Sequence, residues 1–316
     1  MKYAIGVDIG GMSLKGAIIS ESGEIITKFT HTVKSRNGNA EFLTNLRVVL
    51  DALVRFASDN KMELKGIGIG VPGLVNSDSG IIESAVNVNV EKLDLRAGLA
   101  DYGLDVFISN DANVACLAEQ RIGAAKGVAN VLLLTLGTGV GGGVVIDNKL
   151  FEGYQGKGVE LGHMVIRMGG RLCGCGRQGC LEAYASATAL MKFAKEELEK
   201  NRKSSMLDKA EGNIERVDGR IIFESEKEGD AVAKKVVKKY IKYLSEGIMN
   251  YCNIFRPELV LLGGGISNQG DYLIRKVKRY CKRFDYGYKN APVPQIKCAS
   301  LKNEAGVIGA GYLALN

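Results

Sequence analysis

The stretch from residue 162 to residue 180, GHMVIRMGGRLCGCGRQGC, contains three cysteines and one of the two histidines of the chain. A disulfide cluster, a metal site and a set of buried structural cysteines are the three explanations. Disulfides are disfavoured because Cys173 and Cys175 are separated by one residue and because MKYAIGVDIGG is too short an apolar run for a signal peptide. Four glycines between residues 170 and 179 argue against a buried helix or strand.

A metal site fits this spacing. The GRQG segment before Cys180 can fold back so that the three sulfurs converge, and His163 then supplies a fourth ligand. Zinc prefers four such ligands in a tetrahedron. The sequence therefore predicts a structural Zn²⁺ site formed by His163, Cys173, Cys175 and Cys180.

Three glycine-rich turns follow apolar runs: DIGG (8–11), LGTGVGGG (136–143) and GGG (263–265). Backbone N–H groups in such turns can bind phosphate oxygens, and Thr138 adds a hydroxyl. No turn matches a Rossmann fingerprint, since the second is followed by the strand-like VVIDNKL, and none ends in the Gly-Lys-Ser/Thr of a P-loop. From the residues alone each turn is either a phosphate-binding turn or an ordinary link between two strands, and the third could hold a phosphate or a nucleoside.

Asp111 in the segment ISND follows a short strand and opens a helix, so its carboxylate is expected at a cleft-facing loop. From the residues alone two interpretations remain open. Asp111 is either a negative charge at a helix N-terminus, where the helix dipole stabilises it, or a cleft acid that takes part in catalysis.

The length, composition and charge of the chain place few further limits on its function. The chain has 316 residues, no apolar run long enough to span a membrane, and a net charge of +7 from 42 basic and 35 acidic residues. The densest basic run, AKKVVKKYIKY (233–243), has the spacing of an amphipathic helix, which favours a solvated face over a nucleic-acid surface. We expect a cytoplasmic protein with no membrane or nucleic-acid partner.

The elements that must position these residues form a repeated pattern. Residues 3–33 predict three antiparallel strands, and residues 130–150 repeat the arrangement of strand, glycine turn and strand. Further strands are predicted at 65–73, 105–109 and 257–267, and helices at 40–60, 112–122, 183–200, 229–255 and 303–315. A loop is expected from 74 to 92 and a lid-like loop from 200 to 228.

The ordered motifs DIGG, VPG, ND, LGTGVGGG, ELGH, CGCGRQGCLE and LLGGG resemble those of the ROK family of bacterial sugar kinases and sugar-responsive repressors, over nearly the whole chain. The resemblance implies an α/β fold of the actin-like ATPase (ribonuclease H-like) type, with two α/β domains around a cleft that holds ATP and sugar. It implies domains at 1–118 and 119–302, with the zinc loop in the second and the C-terminal helix 303–316 packed on the first. A homodimer or a dimer of dimers is the implied assembly.

The same resemblance assigns roles. Asp111 would be the general base of an ATP-dependent hexose kinase acting at the 6-hydroxyl, and Mg²⁺ would bridge the phosphates with Asp8 as a water-mediated partner. The residues implied to bind the sugar are Asn87, Asn110, Asp111, Glu160, His163 and Glu182. Those implied to bind the nucleotide are Asp8, Gly10, Gly11, Ser13, Lys15, Gly137, Thr138, Gly139, Gly264 and Gly265.

Three departures from the family pattern concern the substrate. Met12 and Ser13 follow DIGG where the family usually has Thr, and Val159 stands where a Gly usually precedes the Glu of ELGH. Asn89-Val90 replaces a usual Gly-Trp. These changes weaken the expectation that glucose is the substrate more than the expectation of kinase activity. Several hexoses and hexose derivatives therefore remain candidate substrates.

Two other functions compete. A ROK repressor would carry an N-terminal helix-turn-helix, whereas here the first predicted strand begins at Tyr3, so the alternative is a sugar-responsive regulator without its DNA-binding domain. An actin-like or chaperone-like ATPase leaves ELGH and CLE without a role.

Overall fold

The computed structural model describes residues 1–33, 37–284, 286, 290 and 294–315. It is a mixed α/β structure with thirteen strands and ten α-helices among these residues. The strands are Tyr3–Ile9 (β1), Ser13–Ser20 (β2), Ile25–Thr32 (β3), Leu64–Val71 (β4), Leu74–Asn76 (β5), Ile81–Ala85 (β6), Val90–Asp94 (β7), Val106–Asn110 (β8), Val131–Leu136 (β9), Val140–Ile146 (β10), Lys149–Phe151 (β11), Leu259–Gly263 (β12) and Gln295–Cys298 (β13). The helices are Asn39–Asp59 (α1), Leu95–Gly98 (α2), Asp111–Arg121 (α3), Glu182–Ala185 (α4), Ala187–Lys200 (α5), Ser205–Lys209 (α6), Gly219–Lys227 (α7), Ala231–Phe255 (α8), Asp271–Phe284 (α9) and Ala305–Leu315 (α10).

The first sheet has five strands in the order β3-β2-β1-β4-β8. Strands β1, β2 and β3 are antiparallel neighbours, which confirms the predicted meander, whereas β1, β4 and β8 are parallel. Helix α1 packs on β2 and β3 through a buried stripe that includes Phe42, Leu46, Leu50 and Leu53, the spacing expected of a one-sided helix. Parallel strands end at the same edge, so the residues that follow β1, β4 and β8 share one edge of this sheet.

Helix α10 packs against α3, β1 and β4 by unusually close backbone approach. A Cβ added at Gly68 would lie 1.7 Å from the Ala310 carbonyl oxygen, and one added at Gly309 would lie 1.7 Å from the Val114 carbonyl oxygen. Only glycine leaves room for these contacts, because any side chain would force the backbones apart. The glycines of this helix are therefore needed for packing.

The second sheet has five strands in the order β11-β10-β9-β12-β13, and β5, β6 and β7 form a separate three-stranded sheet. The basic run lies on α8, where Val236, Val237 and Tyr240 are buried while Lys234 and Lys238 are exposed. The predicted amphipathic helix is confirmed. Among the described residues no helix is both long and apolar enough to cross a membrane.

Three expectations about the elements are wrong. The segment 200–228 contains α6 and α7 rather than only a loop, and the segment 74–92 contains β5, β6 and the start of β7. The helix predicted over 183–200 is broken at Ser186, whose extended backbone (φ −77°, ψ 166°) separates α4 from α5. The Ser186 hydroxyl accepts the N–H of Ala189, so this residue begins a new helix as an N-cap.

The chain divides into two compact units. The first consists of residues 1–133, 142–159 and 299–316, and the second of residues 134–141 and 160–298. Helix α10 belongs to the first unit. The domains at 1–118 and 119–302 stay a prediction.

Candidate functional site

The four predicted zinc ligands converge in the second unit. His163 is the last residue of the single turn Leu161–His163, and the three cysteines lie on the loop that leads to α4. This loop is tightly folded, since the Cys173 N–H donates to the Arg177 carbonyl at 2.8 Å and the Gly176 N–H donates to the Cys173 carbonyl at 3.0 Å. The loop turns at Gly176, where φ is 86°. Local hydrogen bonds thus bring the sulfurs to one side.

The distances within this cluster fit a zinc ion. Zinc holds sulfur at about 2.3 Å and nitrogen at about 2.0–2.1 Å, so a tetrahedron separates two sulfurs by about 3.8 Å and a sulfur from a nitrogen by about 3.6 Å. The Cys175 and Cys180 sulfurs are 3.7 Å apart, and the Cys173 sulfur is 3.6 Å from His163 Nδ1. All four ligand atoms lie within 4.8 Å of one another. The residues are therefore arranged as a zinc site requires.

His163 also links this cluster to two carboxylates. Its Nδ1 faces Cys173, so Nε2 is the nitrogen available to another partner. Burial raises the pKa of Glu160, the neighbouring His163 opposes that rise, and Glu182 adds to it. Glu160 remains accessible to solvent while His163 and Glu182 are half-buried. The structure thus brings together Glu160, His163 and Glu182, three of the residues implied to bind sugar.

The second glycine turn lies beside this group within the same unit. One oxygen of Glu182, Oε2, accepts the Val140 N–H at 3.0 Å, and the other, Oε1, is 3.4 Å from the Cys173 sulfur. The third glycine cluster meets the same turn, because a Cβ at Gly264 (φ 76°) would lie 2.6 Å from the Leu136 carbonyl oxygen. The predicted nucleotide residues Gly137, Thr138, Gly139, Gly264 and Gly265 thus form one region.

In the first unit, Asp8 lies near the end of β1 and is paired in register with Lys15 on β2. Burial raises the pKa of Asp8, and the nearby Lys15 opposes the rise. The carboxylate is packed against Gly306 in the first turn of α10, where a Cβ would lie 2.6–2.8 Å from it. The DIGG turn closes by a hydrogen bond from the Gly10 N–H to the Ser13 carbonyl at 2.9 Å, while Gly11 is exposed.

Asn110 and Asp111 lie at the same sheet edge as Asp8. Asp8 is in register with Gly70 of β4, and Val71 is in register with Asn110 of β8. The Asn110 side chain caps α3 by accepting the Ala112 N–H at 2.9 Å and donates to the Gly73 carbonyl at 3.2 Å. Asp111 also accepts the Ala112 N–H, at 2.8 Å, so it occupies the helix-end position that one interpretation required.

Asn87 is in a different setting. It is exposed and lies in the single turn Val86–Val88 that joins β6 to β7. The residue before it, Val86, is 87% exposed.

Val159 has a conformation that its residue type disfavours. Its φ is 62°, in the left-handed region, and it immediately precedes Glu160. Such angles are uncommon for residues other than glycine and are true outliers for β-branched ones. The substitution noted in the sequence is thus a strained backbone position next to a candidate sugar ligand.

Sequence reasoning missed two carboxylates of the first unit, one half-buried and one fully buried. Ser109, the residue before Asn110, donates its hydroxyl to Glu152, and burial raises the pKa of Glu152 although this hydrogen bond opposes the rise. Glu119 on α3 is fully buried and accepts hydrogen bonds from Ala124 and from residues 300 and 301. No local pattern reveals either partner, because Glu152 is 43 residues from Ser109 and Glu119 is 181 residues from Ser300.

Comparisons with known proteins find similarity over nearly the whole chain. The family model described as "ROK family" matches residues 4–316. A glucokinase from Halalkalibacterium halodurans is 36% identical over 99% of this chain and 94% of its own length. A putative xylose repressor from a Caldicellulosiruptor species is 30% identical over 99% of this chain and 78% of its own length.

Solved structures show the same fold. A ROK family glucokinase from Streptomyces griseus, determined in complex with glucose and AMPPNP, superposes with a TM-score of 0.83 at 30% identity. The alignment covers 99% of both chains. Because the match is of full length, the expected actin-like ATPase fold is confirmed.

Proposed function

The chain belongs to the ROK family, and on that basis we propose that it is an ATP-dependent kinase that phosphorylates a hexose or hexose derivative at its 6-hydroxyl. The observation that carries the proposal is the full-length correspondence with glucokinases, at 36% identity over 99% of this chain. The local geometry supports it in both units, at the sheet edge that holds Asp8 and Asp111 and in the cluster around His163.

The general base is Asp111. A sugar hydroxyl is a weak nucleophile at neutral pH, and a carboxylate that accepts its proton during attack typically contributes about 10²–10⁴ in rate. The two histidines are otherwise engaged, since His163 belongs to the zinc cluster and His31 Nε2 is bonded to Asn45 at 2.9 Å. One Asp111 oxygen accepts the backbone N–H of Ala112 at 2.8 Å, which fixes the orientation of the carboxylate.

The sugar is held by Asn87, Asn110, Glu160, His163 and Glu182. Carboxylate and amide groups suit the hydroxyls of a hexose because each accepts or donates more than one hydrogen bond. A zinc ion held by His163, Cys173, Cys175 and Cys180 would supply structural stability and would fix the His163 ring. The Nδ1 of this ring faces Cys173, so Nε2 is the nitrogen proposed to bind the sugar. The metal takes no part in phosphoryl transfer in this scheme.

The nucleotide is held by the three glycine turns. Backbone donors at Gly137–Gly139 and Gly264–Gly265 bind phosphates or the nucleoside, with Gly10, Gly11, Ser13 and Lys15 contributing from the first turn. Asp8 is the residue that would hold Mg²⁺ through water, and the ion would supply neutralisation of the charge on the transferred phosphoryl group. This division of roles requires only positioning and one base, which is what phosphoryl transfer demands.

The test is an ADP-release assay across a panel of sugars that includes glucose, mannose, allose and N-acetylmannosamine. We expect several to be turned over, because changes of hydrophobic shape such as Val159 discriminate by only about 1–3 kcal/mol. Asp111→Asn keeps the shape but should lower kcat by about 10²–10⁴ while sugar still binds in calorimetry. A variant retaining more than a tenth of wild-type kcat would make Asp111 a helix-end charge, with Glu160 as the next candidate base.

A sugar-responsive regulator is the second candidate, favoured by the 30% identity to the putative xylose repressor over 99% of this chain. It predicts sugar binding by calorimetry without release of ADP from any sugar in the panel. The same experiment therefore separates the two functions.

A further inference from the structure

The carboxylate of Glu182 lies between the zinc cluster and the glycine turn 137–140, and it contacts both. Its Oε2 accepts the Val140 N–H at 3.0 Å, while its Oε1 is 3.4 Å from the sulfur of Cys173. The family resemblance gives this residue only a sugar-binding role. The contact with Val140 is a separate function of the same side chain.

The glycine at position 139 is explained by this carboxylate. A Cβ at Gly139 would lie 2.3 Å from Glu182 Oε2, whereas a Cβ at Gly137 would meet nothing within 4 Å. Neither residue has a positive φ, so conformational freedom does not require glycine at either place. Glycine is needed at 139 because the Glu182 carboxylate occupies the space that a side chain would fill.

The residues next to α4 hold the same turn through its carbonyls. The Ala187 N–H donates to the Gly137 carbonyl at 2.8 Å, and the Thr188 hydroxyl donates to the Thr138 carbonyl at 2.8 Å. Together with Glu182 these residues fix the turn at three positions, Gly137, Thr138 and Val140. All three anchors come from the eight-residue stretch that begins directly after the zinc loop.

These anchors determine which donors of the turn are left for a ligand. The Gly137 N–H donates to the Gly139 carbonyl and the Gly141 N–H to the Thr135 hydroxyl, while Val140 donates to Glu182. In the part of the chain that the structure describes, the backbone N–H groups of Thr138 and Gly139 have no acceptor. Two adjacent N–H groups and the exposed Thr138 hydroxyl are a suitable set for a phosphate.

We propose that Glu182 is a positioning residue for the phosphate-binding turn: it holds Val140 so that the Thr138 and Gly139 donors face the nucleotide. This role rests on the proposed kinase function and deepens it. It implies that the segment which carries the zinc ligands also sets the geometry of nucleotide binding, even when no sugar is present.

The first experiment measures backbone protection directly. Amide hydrogen exchange at Val140 should be about tenfold faster or more in Glu182→Ala, the size expected for loss of a hydrogen bond to a charged group. Glu182→Gln should restore most of the protection, because its amide oxygen can accept the same N–H. Glu160→Ala, which removes a neighbouring carboxylate that has no hydrogen bond to the turn, is the matched control and should leave Val140 protected.

The second experiment measures binding of a non-hydrolysable ATP analogue without sugar. We expect about tenfold weaker binding in Glu182→Ala, near wild-type binding in Glu182→Gln, and no change in Glu160→Ala. A purely sugar-binding role for Glu182 predicts wild-type nucleotide affinity in all three, and that result together with unchanged Val140 exchange would overturn the proposal.

Two further variants cover the case in which Glu182→Ala does not fold. Thr188→Val removes one anchor without changing size and should weaken nucleotide binding severalfold, while Gly139→Ala should do so by displacing the carboxylate. Wild-type affinity in both variants would overturn the proposal. If the wild-type protein binds no nucleotide, the kinase function fails, yet Val140 exchange still reports whether Glu182 holds the turn.

Discussion

The carboxylate of Glu119 offers a direct test of what holds the first unit together. Glu119 Oε1 accepts the N–H groups of Ser300 and Leu301, each at 2.7 Å. Oε2 accepts the Ala124 N–H at 2.7 Å and the Ser300 hydroxyl at 3.0 Å. The side chain is fully buried, so these four donors replace the water that a carboxylate would otherwise bind. It joins the end of α3 to the segment that leads into α10.

Glu119→Gln keeps the size of the side chain but replaces one acceptor by an NH₂ donor. The amide loses fewer hydrogen bonds when its nitrogen takes the place of Oε2 than when it takes the place of Oε1. In that orientation the Ser300 hydroxyl can rotate to accept a hydrogen bond from the amide, but the Ala124 N–H faces another donor and has no acceptor. An unsatisfied buried N–H costs about 1–3 kcal/mol, and the hydrogen bonds that remain lose the strengthening that a charge gives. We expect a loss of about 2–4 kcal/mol in the free energy of unfolding, or roughly 5–12 °C in Tm.

The measurement is denaturant unfolding together with calorimetry, with Ser300→Ala as the control. That variant removes only the 3.0 Å hydroxyl bond and leaves both backbone donors of residues 300 and 301 in place. It should cost about 0.5–1.5 kcal/mol. If Glu119→Gln melts within about 1 °C of the wild type, the carboxylate does not satisfy these donors and the reasoning is refuted.

Three other perturbations test separate parts of the molecule. Cys175→Ser should lower the zinc content from about one per chain and lower Tm, because metal binding contributes to folding free energy; wild-type protein that is metal-free by elemental analysis and fully active would contradict the site. Val159→Gly should raise the unfolding free energy by about 0.5–1 kcal/mol, since relief of a left-handed φ exceeds the entropic cost of glycine; a loss of stability in denaturant unfolding would show that the valine side chain matters more. Burial raises the pKa of Glu152 in the folded state above its ordinary value of 4.5. Between these two pKa values the folded protein binds more protons than the unfolded one, so the free energy of unfolding falls as pH rises through this range. Glu152→Gln should flatten this part of a plot of Tm against pH, and an unchanged slope would assign the dependence to other groups.

The cluster of His163 and three cysteines could be predicted because its information is local. Its cysteines lie within eight residues, and glycines at 174, 176 and 179 mark the turns that bring them together. The strands around the glycine turns were equally predictable, since each has alternating or continuous apolar residues over six to eight positions. Short-range pattern and structure agree wherever the partner of a residue is close in sequence.

The remaining features depend on distant partners or on very short elements. Strand β5 has only three residues and lies in a segment rich in Asn and Ser, so its pairing with β6 outweighs its weak propensity. Helix α7 lies in a charged segment, yet the Asp218 side chain caps it by accepting the Ile221 N–H at 2.8 Å. The contact of Glu182 with Val140 spans 42 residues and has no sequence signature.

The close packing of α10 also has a consequence for biosynthesis. The first unit needs residues 299–316, which are synthesised after residues 160–298 of the second unit. At about 5–20 residues per second, the ribosome takes roughly 7–28 s to synthesise the intervening stretch. During that interval the glycine-lined face formed by Gly6 and Gly68 lacks its helix, so the nascent first unit presents an apolar surface to chaperones and proteases. Truncation or a bulky fusion near residue 315 should therefore lower the yield of folded protein more than an equal change at Met1.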